Sequence, residues 1–323
     1  MAGSLVSPTD IALAAERIAP HVVRTPTVPS PGLSALLGVP VTAKLELLQR
    51  TGSFKARGAT AKLLALTEDE RAAGVVAVSG GNHGIALAVM AGALGVAATV
   101  VMPESAPAGS VRIARDAGAD VRLTPDMAGA FALTAELQAG GLTLVHPFDD
   151  PTVIAGQGTV GLELAADAGD LTDVLVSIGG GGLISGVAAA LHASRPDVRI
   201  WGVETEGAQA MSAALAAGGP VPVELTSIVT TLSAPSVSPL TYEHVSALVT
   251  DVLVVPDAEA VQGTLDLADH AKVWAEPAAG CLVPAARRVL EKIGDHARLG
   301  LVVCGGNAST GDVTAWAARF GLI

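Results

Sequence analysis

Residues 174–193, VLVSIGGGGLISGVAAALHA, hold the pattern that decides the fold class. A short run of mostly apolar and β-branched residues ends in four glycines, and a longer segment rich in alanine follows. The short run is typical of a strand buried on both faces, whereas the longer segment is typical of a helix. The stretch therefore predicts a strand, a glycine turn and a helix in that order.

The same alternation of short β-branched runs and longer helical segments recurs along the chain. Strands joined by helices form parallel sheets with both faces covered, so the predicted fold class is α/β, with mostly parallel twisted sheets flanked by helices. The predicted strands lie at residues 75–79, 98–102, 121–123, 143–146, 174–178, 200–204, 252–255 and 301–304. The predicted helices include residues 84–94, 109–117, 127–138, 156–168, 183–193 and 258–270.

The size and composition of the chain indicate two domains. A chain of 323 residues, of which 50% are hydrophobic, buries a large amount of apolar surface, and chains of this length commonly divide it between two cores. The sequence HPFDDP at residues 146–151 interrupts the helical pattern and marks a boundary. We expect a small domain over residues 44–147 and a large domain over residues 1–43 and 148–323.

The charge of the chain favours a small-molecule partner. The formal net charge of −12 leaves no basic stripe for the phosphate backbone of a nucleic acid. Residues 1–10 lack the basic and apolar regions of a secretory signal, and Cys281 and Cys304 are too few for a disulfide framework, so we expect a cytoplasmic protein. Glycines interrupt the charge-free residues 84–102, which predicts a buried helix and strand there and no membrane span.

Three glycine turns follow predicted strands, at residues 80–81, 179–182 and 305–306. Ligands of open parallel sheets bind beyond the carboxyl ends of the strands, so the three turns can converge on one cleft. The turns indicate a binding site but do not define its chemistry.

Lys55 is the candidate catalytic residue. It is one of five lysines, and it lies in the sequence SFKARGA at residues 53–59, where a turn opens a predicted helix. A lysine withdrawn from water beside a helix N-terminus has a lowered pKa, and its neutral amine forms imines readily. A solvated lysine in a first helical turn would have the same local sequence.

Residues 53–59 resemble the cofactor-lysine motif of the serine and threonine dehydratases, which are fold-type II pyridoxal-phosphate enzymes of the tryptophan synthase β-like superfamily. The similarity runs from Arg24 to Asn307, with the motifs in the order of that family. It implies that the cofactor is pyridoxal 5'-phosphate, that Lys55 is catalytic and holds it covalently, and that Phe54 contacts it.

The sequence SGGNHG at residues 79–84 lies between a predicted strand and a predicted helix. Backbone amides and a helix N-terminus suit a carboxylate there, although a helix cap without a ligand would look the same. The resemblance implies that Asn82 bonds the phenolic oxygen of the cofactor. It also implies a substrate-carboxylate site made by Ser79, Gly81, Asn82 and His83.

Gly80 departs from the sequence of serine racemases and of many dehydratases, which have a second serine at this position. In racemases that serine donates a proton on the cofactor face opposite the lysine, and glycine has no side chain to do so. Elimination can use Lys55 alone at the α-carbon. The departure therefore disfavours a racemase and leaves a lyase in place.

The glycine run at residues 179–182 allows the backbone to approach an anion closely and to point amide groups at it. The resemblance implies that the phosphate of the cofactor binds to Gly179, Gly180, Gly181 and Gly182. A dinucleotide site, and with it a dehydrogenase, is an alternative because Glu204 ends the next predicted strand about twenty residues further on. The sequence argues against a dinucleotide site, because a G-x-G-x-x-G motif that starts at Gly180 needs a glycine at position 185, where this chain has Ser185.

Cys304 and Glu276 are the remaining candidates for cofactor contacts. The resemblance implies that Cys304 faces the pyridine nitrogen, which a neutral thiol cannot protonate, and that Glu276 lies near the cofactor ring. A buried inert cysteine and a carboxylate at a helix start are the alternatives from sequence alone. No metal site is predicted: Glu204 and Ala208 align with two ligands of a cation site in some relatives, but Ala210 replaces the third.

The predicted function is α,β-elimination from a small hydroxy amino acid, such as L-serine or L-threonine, to give a 2-oxo acid and ammonia. The substrate stays open, because residues 227–239, SIVTTLSAPSVSP, depart from the Ala-Asp-Gly type of sequence that dehydratases have there. A dehydratase of a bulkier 3-hydroxy amino acid, a racemase, and an inactive amino-acid binder are further alternatives. The resemblance also implies a homodimer.

Overall fold

Two β-sheets, each covered by helices, organise residues 5–323, the part of the chain that the computed structural model describes. The predictions for residues 1–4, as the start of the large domain and as a segment without a secretory signal, lie outside the described residues. The helices are α1 Pro8–Ile18, α2 Pro31–Leu37, α3 Lys55–Leu64, α4 Glu68–Ala73, α5 Asn82–Ala93, α6 Ala108–Asp116, α7 Met127–Ala139, α8 Pro151–Asp167, α9 Gly182–Ser194, α10 Ala210–Ala217, α11 Pro239–Leu248, α12 Asp257–Asp266, α13 Pro277–Gly280, α14 Leu282–Ile293 and α15 Thr310–Arg319. The strands are β1 Thr27–Pro29, β2 Val41–Leu45, β3 Val75–Val78, β4 Ala98–Pro103, β5 Asp120–Thr124, β6 Thr143–Leu144, β7 Asp173–Ser177, β8 Arg199–Thr205, β9 Asp251–Val255 and β10 Leu299–Val303. Short 3-10 turns occupy Glu46–Leu48 and Thr230–Leu232, and a π-helical turn occupies Leu267–Ala271.

The larger sheet has six strands in the order β1-β2-β10-β7-β8-β9. Strand β1 runs antiparallel to β2, and the pairs from β2 to β9 are parallel. Every residue of β7 and β10 is buried, as expected for central strands covered on both faces.

The smaller sheet has four parallel strands in the order β5-β4-β3-β6. Helices α5, α6 and α7 connect these strands in turn. Both sheets are thus mostly parallel and connected mainly by helices, which confirms the predicted α/β class.

The predicted strands are all present, and their ends differ from the prediction by at most two residues. Helix α8 begins at Pro151, five residues before the predicted start, because the Asp150 side chain caps it by accepting from the amides of Thr152 and Val153. Strands β1 and β2 were not predicted. Lys44 made β2 hard to recognise from sequence, because a lysine is normally exposed. In the structure Lys44 is fully buried, and its amine donates to the Glu163 carboxylate at 2.5 Å and to the Thr25 carbonyl at 2.7 Å.

The charge-free residues 84–102 form most of α5 and β4. Both elements are largely buried, as predicted. Among the described residues, no helix combines the length and the apolar character needed to cross a membrane.

The predicted start of the small domain, residue 44, lies inside β2, which pairs with β10 in the six-stranded sheet. The four-stranded sheet is built entirely from strands between residues 75 and 144. A boundary that follows the sheets would therefore lie after β2. The division into domains at residues 44 and 147 stays a prediction.

The order of the larger sheet determines where the candidate residues meet. Strand β10 lies between β2 and β7, and all three are parallel. The segments that follow them, which carry Lys55, Gly179 and Cys304, therefore start side by side at one edge of the sheet.

Candidate active site

Lys55 lies at the start of α3 and is held there by the end of β10. The Phe54 amide donates to the Cys304 carbonyl at 3.0 Å, and Ser53 forms an isolated β-bridge with Gly305. The Lys55 amine, Nζ, donates to the Pro147 carbonyl oxygen at 2.9 Å and lies 5.1 Å from the centre of the Phe54 ring. The backbone thus fixes both ends of the lysine.

Burial lowers the pKa of Lys55 to about 8, although the nearby Cys304 and Glu276 act in the opposite direction. A substantial fraction of the amine is therefore neutral slightly above neutral pH. A neutral amine is the form that acts as a base or a nucleophile.

Asn82, Glu276 and Asn307 form a hydrogen-bonded group beside Lys55. The Asn82 side-chain nitrogen donates to both carboxylate oxygens of Glu276, at 2.8 and 3.0 Å, and the Asn307 side-chain nitrogen donates to the Asn82 oxygen at 2.7 Å. A β-carbon on Gly305 would lie 2.9 Å from the nearer Glu276 oxygen, so only glycine leaves room for this group. Two predicted cofactor contacts, Asn82 and Glu276, are thus in direct contact.

Glu276 is buried, and burial raises its pKa. The hydrogen bonds from the Asn82 side chain lower it in part, and so do the nearby Asn307 amide, Thr231 hydroxyl and Lys55 amine. The carboxylate therefore has several donors and a neighbouring amine that stabilise its charge.

Cys304 is buried at the end of β10, and it is one of two free cysteines in the described residues. Burial raises the pKa of its thiol well above the usual value, and the neighbouring Glu276 and Cys281 add to this effect. The thiol is therefore neutral at physiological pH. Burial likewise raises the pKa of Cys281 to about 12.

The glycine run after β7 forms an open anion cradle. Gly181 has φ +92° and precedes α9 without a side-chain cap. Among residues 5–323, the amide nitrogens at positions 179–182 donate to no protein acceptor. The Phe148 ring packs directly against the cradle, because a β-carbon on Gly180 would lie 2.0 Å from a ring carbon of Phe148. Its free amides and the N-terminus of α9 suit a phosphate.

The predicted carboxylate loop connects β3 to α5. The Gly81 amide donates to the Ser79 hydroxyl at 3.2 Å, and α5 begins without a side-chain cap. A β-carbon on Gly80 would lie 2.9 Å from the Ala106 β-carbon, so this stretch of the loop is tightly packed. The uncapped start of α5 suits an anion.

His83 faces the protein interior rather than open solvent. It is buried, and its Nε2 is 2.8 Å from the Val145 carbonyl oxygen. Burial lowers the pKa of His83 to about 3, and the nearby Lys55 acts in the same direction. The ring is therefore neutral, with the proton on Nε2, and its Nδ1 has no partner among the described residues.

Residues 145–149 bring several of these groups together. The carbonyls of Val145 and Pro147 bind His83 and Lys55, and the His146 Nδ1 accepts from the Asp149 amide at 2.8 Å. The His146 and Phe148 rings meet edge to face with centroids 4.7 Å apart. From sequence, HPFD at residues 146–149 indicated only a break in the helical pattern. Its contacts with Lys55 and His83 could not be predicted.

A buried ionic network surrounds Arg57, which follows Lys55 by two residues in α3. The Arg57 guanidinium donates to both oxygens of Glu46 at 2.8 Å and to both oxygens of Glu163 at 2.7 and 2.9 Å. Burial lowers the pKa of Arg57, but these carboxylates outweigh that effect and raise it. With Lys44 the network contains two positive and two negative charges, so the buried charges balance.

Glu204 is hydrogen-bonded to the start of α10. Its carboxylate accepts from the amides of Met211 and Ser212, at 2.7 and 2.9 Å, and from the Ser212 hydroxyl at 2.6 Å. Burial raises its pKa. Residues at the start of α10 thus donate to both carboxylate oxygens of Glu204, which a cation or a ribose would need. The described residues contain no cluster of three His, Cys, Asp or Glu residues that could hold a metal.

The pyridoxal-phosphate dependent enzymes match the chain over residues 18–305. The chain belongs to this family. Pyridoxal phosphate is therefore its cofactor, and the resemblance drawn from the motifs is confirmed. Because the family match covers most of the chain, it does not depend on any single motif.

Individual relatives differ in their reactions. The L-threonine ammonia-lyase of Thermotoga maritima is 40% identical over 91% of this chain and 74% of its own length. The phenylserine dehydratase of Ralstonia pickettii is 37% identical over 95% of this chain and 94% of its own. The solved structure of maize serine racemase has a TM-score of 0.91 and 33% identity, covering 99% of this chain and 98% of that one.

The residues present fit the cofactor. The cradle at residues 179–182 offers free amides for a phosphate, and Lys55 offers an amine of lowered pKa. The buried hydroxyls of Ser53 and Ser185 also have no protein partner among the described residues. Buried polar groups normally have partners, so these open positions are consistent with a bound polar group.

Proposed function

We propose that this chain is a pyridoxal-phosphate-dependent ammonia-lyase that converts a small hydroxy amino acid to a 2-oxo acid and ammonia. The observation that carries the proposal is the Lys55 amine, which has a pKa of about 8 and lies close to Glu276 and the Asn82 group. Relatives that act on threonine and on phenylserine support the substrate class.

The proposed cofactor contacts follow the chemistry of each group. Lys55 would hold the cofactor covalently, with Phe54 beside it, and the amides of Gly179, Gly180, Gly181 and Gly182 would hold its phosphate. Neutral Cys304 would face the pyridine nitrogen, and Asn82 and Glu276 would lie beside the ring. When bound, pyridoxal phosphate supplies an electron sink that makes the α-proton of an amino acid acidic enough to remove.

We propose that the substrate carboxylate binds at the β3–α5 loop, to Ser79, Gly81, Asn82 and His83, with His83 contributing its backbone amide because its ring proton is bonded to Val145. The uncapped N-terminus of α5 favours negative charge there. Lys55 then takes the α-proton, and the ammonium group so formed gives a proton to the substrate hydroxyl, which leaves as water. The Pro147 carbonyl offers the amine a fixed acceptor, so the base stays positioned while its charge changes.

Gly80 supports a lyase over a racemase. It has no side chain to supply a second proton donor, and its position is crowded by Ala106. The protonated Lys55 could return a proton to only one face of the α-carbon. Elimination removes the substrate hydroxyl and needs no such second donor.

The test measures 2-oxo acid and ammonia from L-serine, L-threonine and L-threo-3-phenylserine with purified holoenzyme. We expect equal amounts of both products, and a fall of about a thousandfold or more in the Lys55→Ala variant. Lys292→Ala is the matched control, because this exposed lysine of α14 has its amine at the surface, paired with Asp251 and 6.0 Å from the centre of the Trp201 ring. Inversion of the amino acid without formation of a 2-oxo acid would contradict the lyase and favour a racemase.

We further propose that the protein is cytoplasmic, forms a homodimer, and is divided into domains at residues 44–147 and at residues 1–43 with 148–323. The two buried free cysteines suit a reducing compartment. Light scattering tests the dimer, for which the mass in solution should be twice that of the chain.

A further inference from the structure

A 3-10 turn at Thr230–Leu232 joins the two anion-binding loops of the site. A β-carbon on Gly179, in the glycine cradle, would lie 3.2 Å from the Leu232 α-carbon. A β-carbon on Gly81, in the β3–α5 loop, would lie 3.7 Å from the Thr231 methyl group. One turn thus contacts both loops.

Thr231 contributes two chemically different groups at this point. Its methyl group faces Gly81, and its hydroxyl lies near enough to the Glu276 carboxylate to lower the pKa of that group. The residue is exposed, although Val229 and Leu232 beside it are buried. Thr231 thus borders residues of both predicted subsites and is still accessible to solvent.

The turn is held firmly enough to form a defined wall. The Asp257 carboxylate accepts from the Ser227 hydroxyl at 2.5 Å and from the Ile228 amide at 2.9 Å. The Val229 amide donates to the Ser227 hydroxyl at 3.0 Å, and the Leu232 amide donates to the Val229 carbonyl at 2.9 Å. These bonds tie the turn to the start of α12.

We propose that Thr231 is a specificity-determining residue whose methyl group limits the size of the substituent on the substrate's β-carbon. The inference rests on the proposed function, because it requires the substrate carboxylate to bind at the β3–α5 loop. With the carboxylate there and the α-carbon near Lys55, the wall formed by Thr231 borders the space left for the rest of the substrate. A serine at position 231 removes the methyl group and keeps a hydroxyl near Glu276.

The experiment compares kcat/KM for L-threo-3-phenylserine and L-serine in the wild-type holoenzyme and in Thr231→Ser. Removing one methyl group from a substrate pocket changes discrimination by roughly tenfold, so the phenylserine-to-serine ratio should rise about tenfold. Thr231→Val, which keeps the size but not the hydroxyl, should leave the ratio within about twofold. Thr230→Ser is the matched control, because it removes the same group from the neighbouring exposed threonine.

A second readout does not depend on turnover. The dissociation constant of phenylserine, measured by the change in cofactor absorbance on mixing with Lys55→Ala holoprotein reconstituted with the cofactor, should fall about tenfold when Thr231→Ser is added. An unchanged ratio in an active Thr231→Ser enzyme, or an equal rise in Thr230→Ser, overturns the inference and leaves the lyase proposal intact. Wild-type enzyme that forms no 2-oxo acid from any hydroxy amino acid overturns the lyase proposal instead.

Discussion

The Lys55 side-chain amine donates a hydrogen bond to the Pro147 carbonyl oxygen at 2.9 Å. This bond joins the first residue of α3 to the segment between β6 and α8. Its acceptor is uncharged and offsets only part of the loss of water, because burial still lowers the pKa of the lysine to about 8. The amine is thus fixed in place without being locked in its charged form.

Uptake of pyridoxal phosphate by the apoenzyme should become faster with pH only up to about pH 8. The neutral amine is the reacting form, so the rate should rise about tenfold per pH unit well below the pKa of Lys55 and level off above it. Stopped-flow absorbance measures the rate. A rate that still climbs tenfold per unit between pH 8.5 and 10 would show a lysine with the ordinary pKa of 10.5.

Lys55→Met should stabilise the apoenzyme against unfolding at pH 7. A lowered pKa means that the folded state disfavours the charged amine; this penalty is full below about pH 8 and disappears above 10.5. Allowing for the partial exposure of the side chain, we expect a gain of about 2 kcal/mol at pH 7. Urea unfolding at pH 7 and 9.5 measures it, and the gain should shrink at the higher pH. Exposed Lys292→Met serves as the control, and an equal gain there would contradict the explanation.

Gly181→Ala should both destabilise the protein and weaken cofactor binding. Gly181 has φ +92°, and a β-carbon there would lie 2.9 Å from both the Met211 methyl carbon and the Thr241 β-carbon. Gly218→Ala is the matched control, because Gly218 has φ +77° with nothing within 4 Å. We expect a loss of about 1 kcal/mol for the control and about 3 kcal/mol for Gly181→Ala, with an affinity for the cofactor at least about tenfold lower. Equal losses in the two variants would show that the contacts have no effect.

Cys304→Ser should retain activity within a few-fold, whereas Cys304→Asp should lower kcat/KM by about a hundredfold. Serine keeps a small neutral group, but aspartate places a carboxylate in a buried position near Glu276. Steady-state kinetics with L-threonine tests both variants, and cofactor absorbance checks that each is loaded. An aspartate variant as active as the wild type would show that the charge state at this position does not matter.

The sequence was sufficient to predict the α/β class, because strand and helix periodicity and glycine turns are local patterns. Lys55 and the glycine run at residues 179–182 could also be identified as candidate site residues from sequence, because each lies within one contiguous motif. The cofactor and substrate roles of these residues and of Asn82, Glu276 and Cys304 stay predictions, although the structure places Glu276 and Cys304 close to Lys55.

Other features depend on contacts that no local pattern reveals. The acceptor of the Lys55 amine is a main-chain oxygen, which any residue at position 147 would provide. Thr231 lies in a segment whose sequence differs from that of the dehydratases, which gave no role for the residue. Its spatial neighbours Gly81 and Glu276 are distant in the chain, so no local pattern could indicate the contact. Strand β2 was missed because a lysine is normally exposed, and the burial of Lys44 depends on the Thr25 carbonyl and on the Glu163 carboxylate, 119 residues away.

The contact between positions 80 and 106 bears on how a second proton donor could be built opposite Lys55. A serine introduced at position 80 would bring its β-carbon to 2.9 Å from that of Ala106, and neither atom can rotate away. A serine is therefore accommodated there only if the backbone of the loop moves or position 106 loses its β-carbon. Gly80→Ser together with Ala106→Gly should thus disturb the loop less than Gly80→Ser alone.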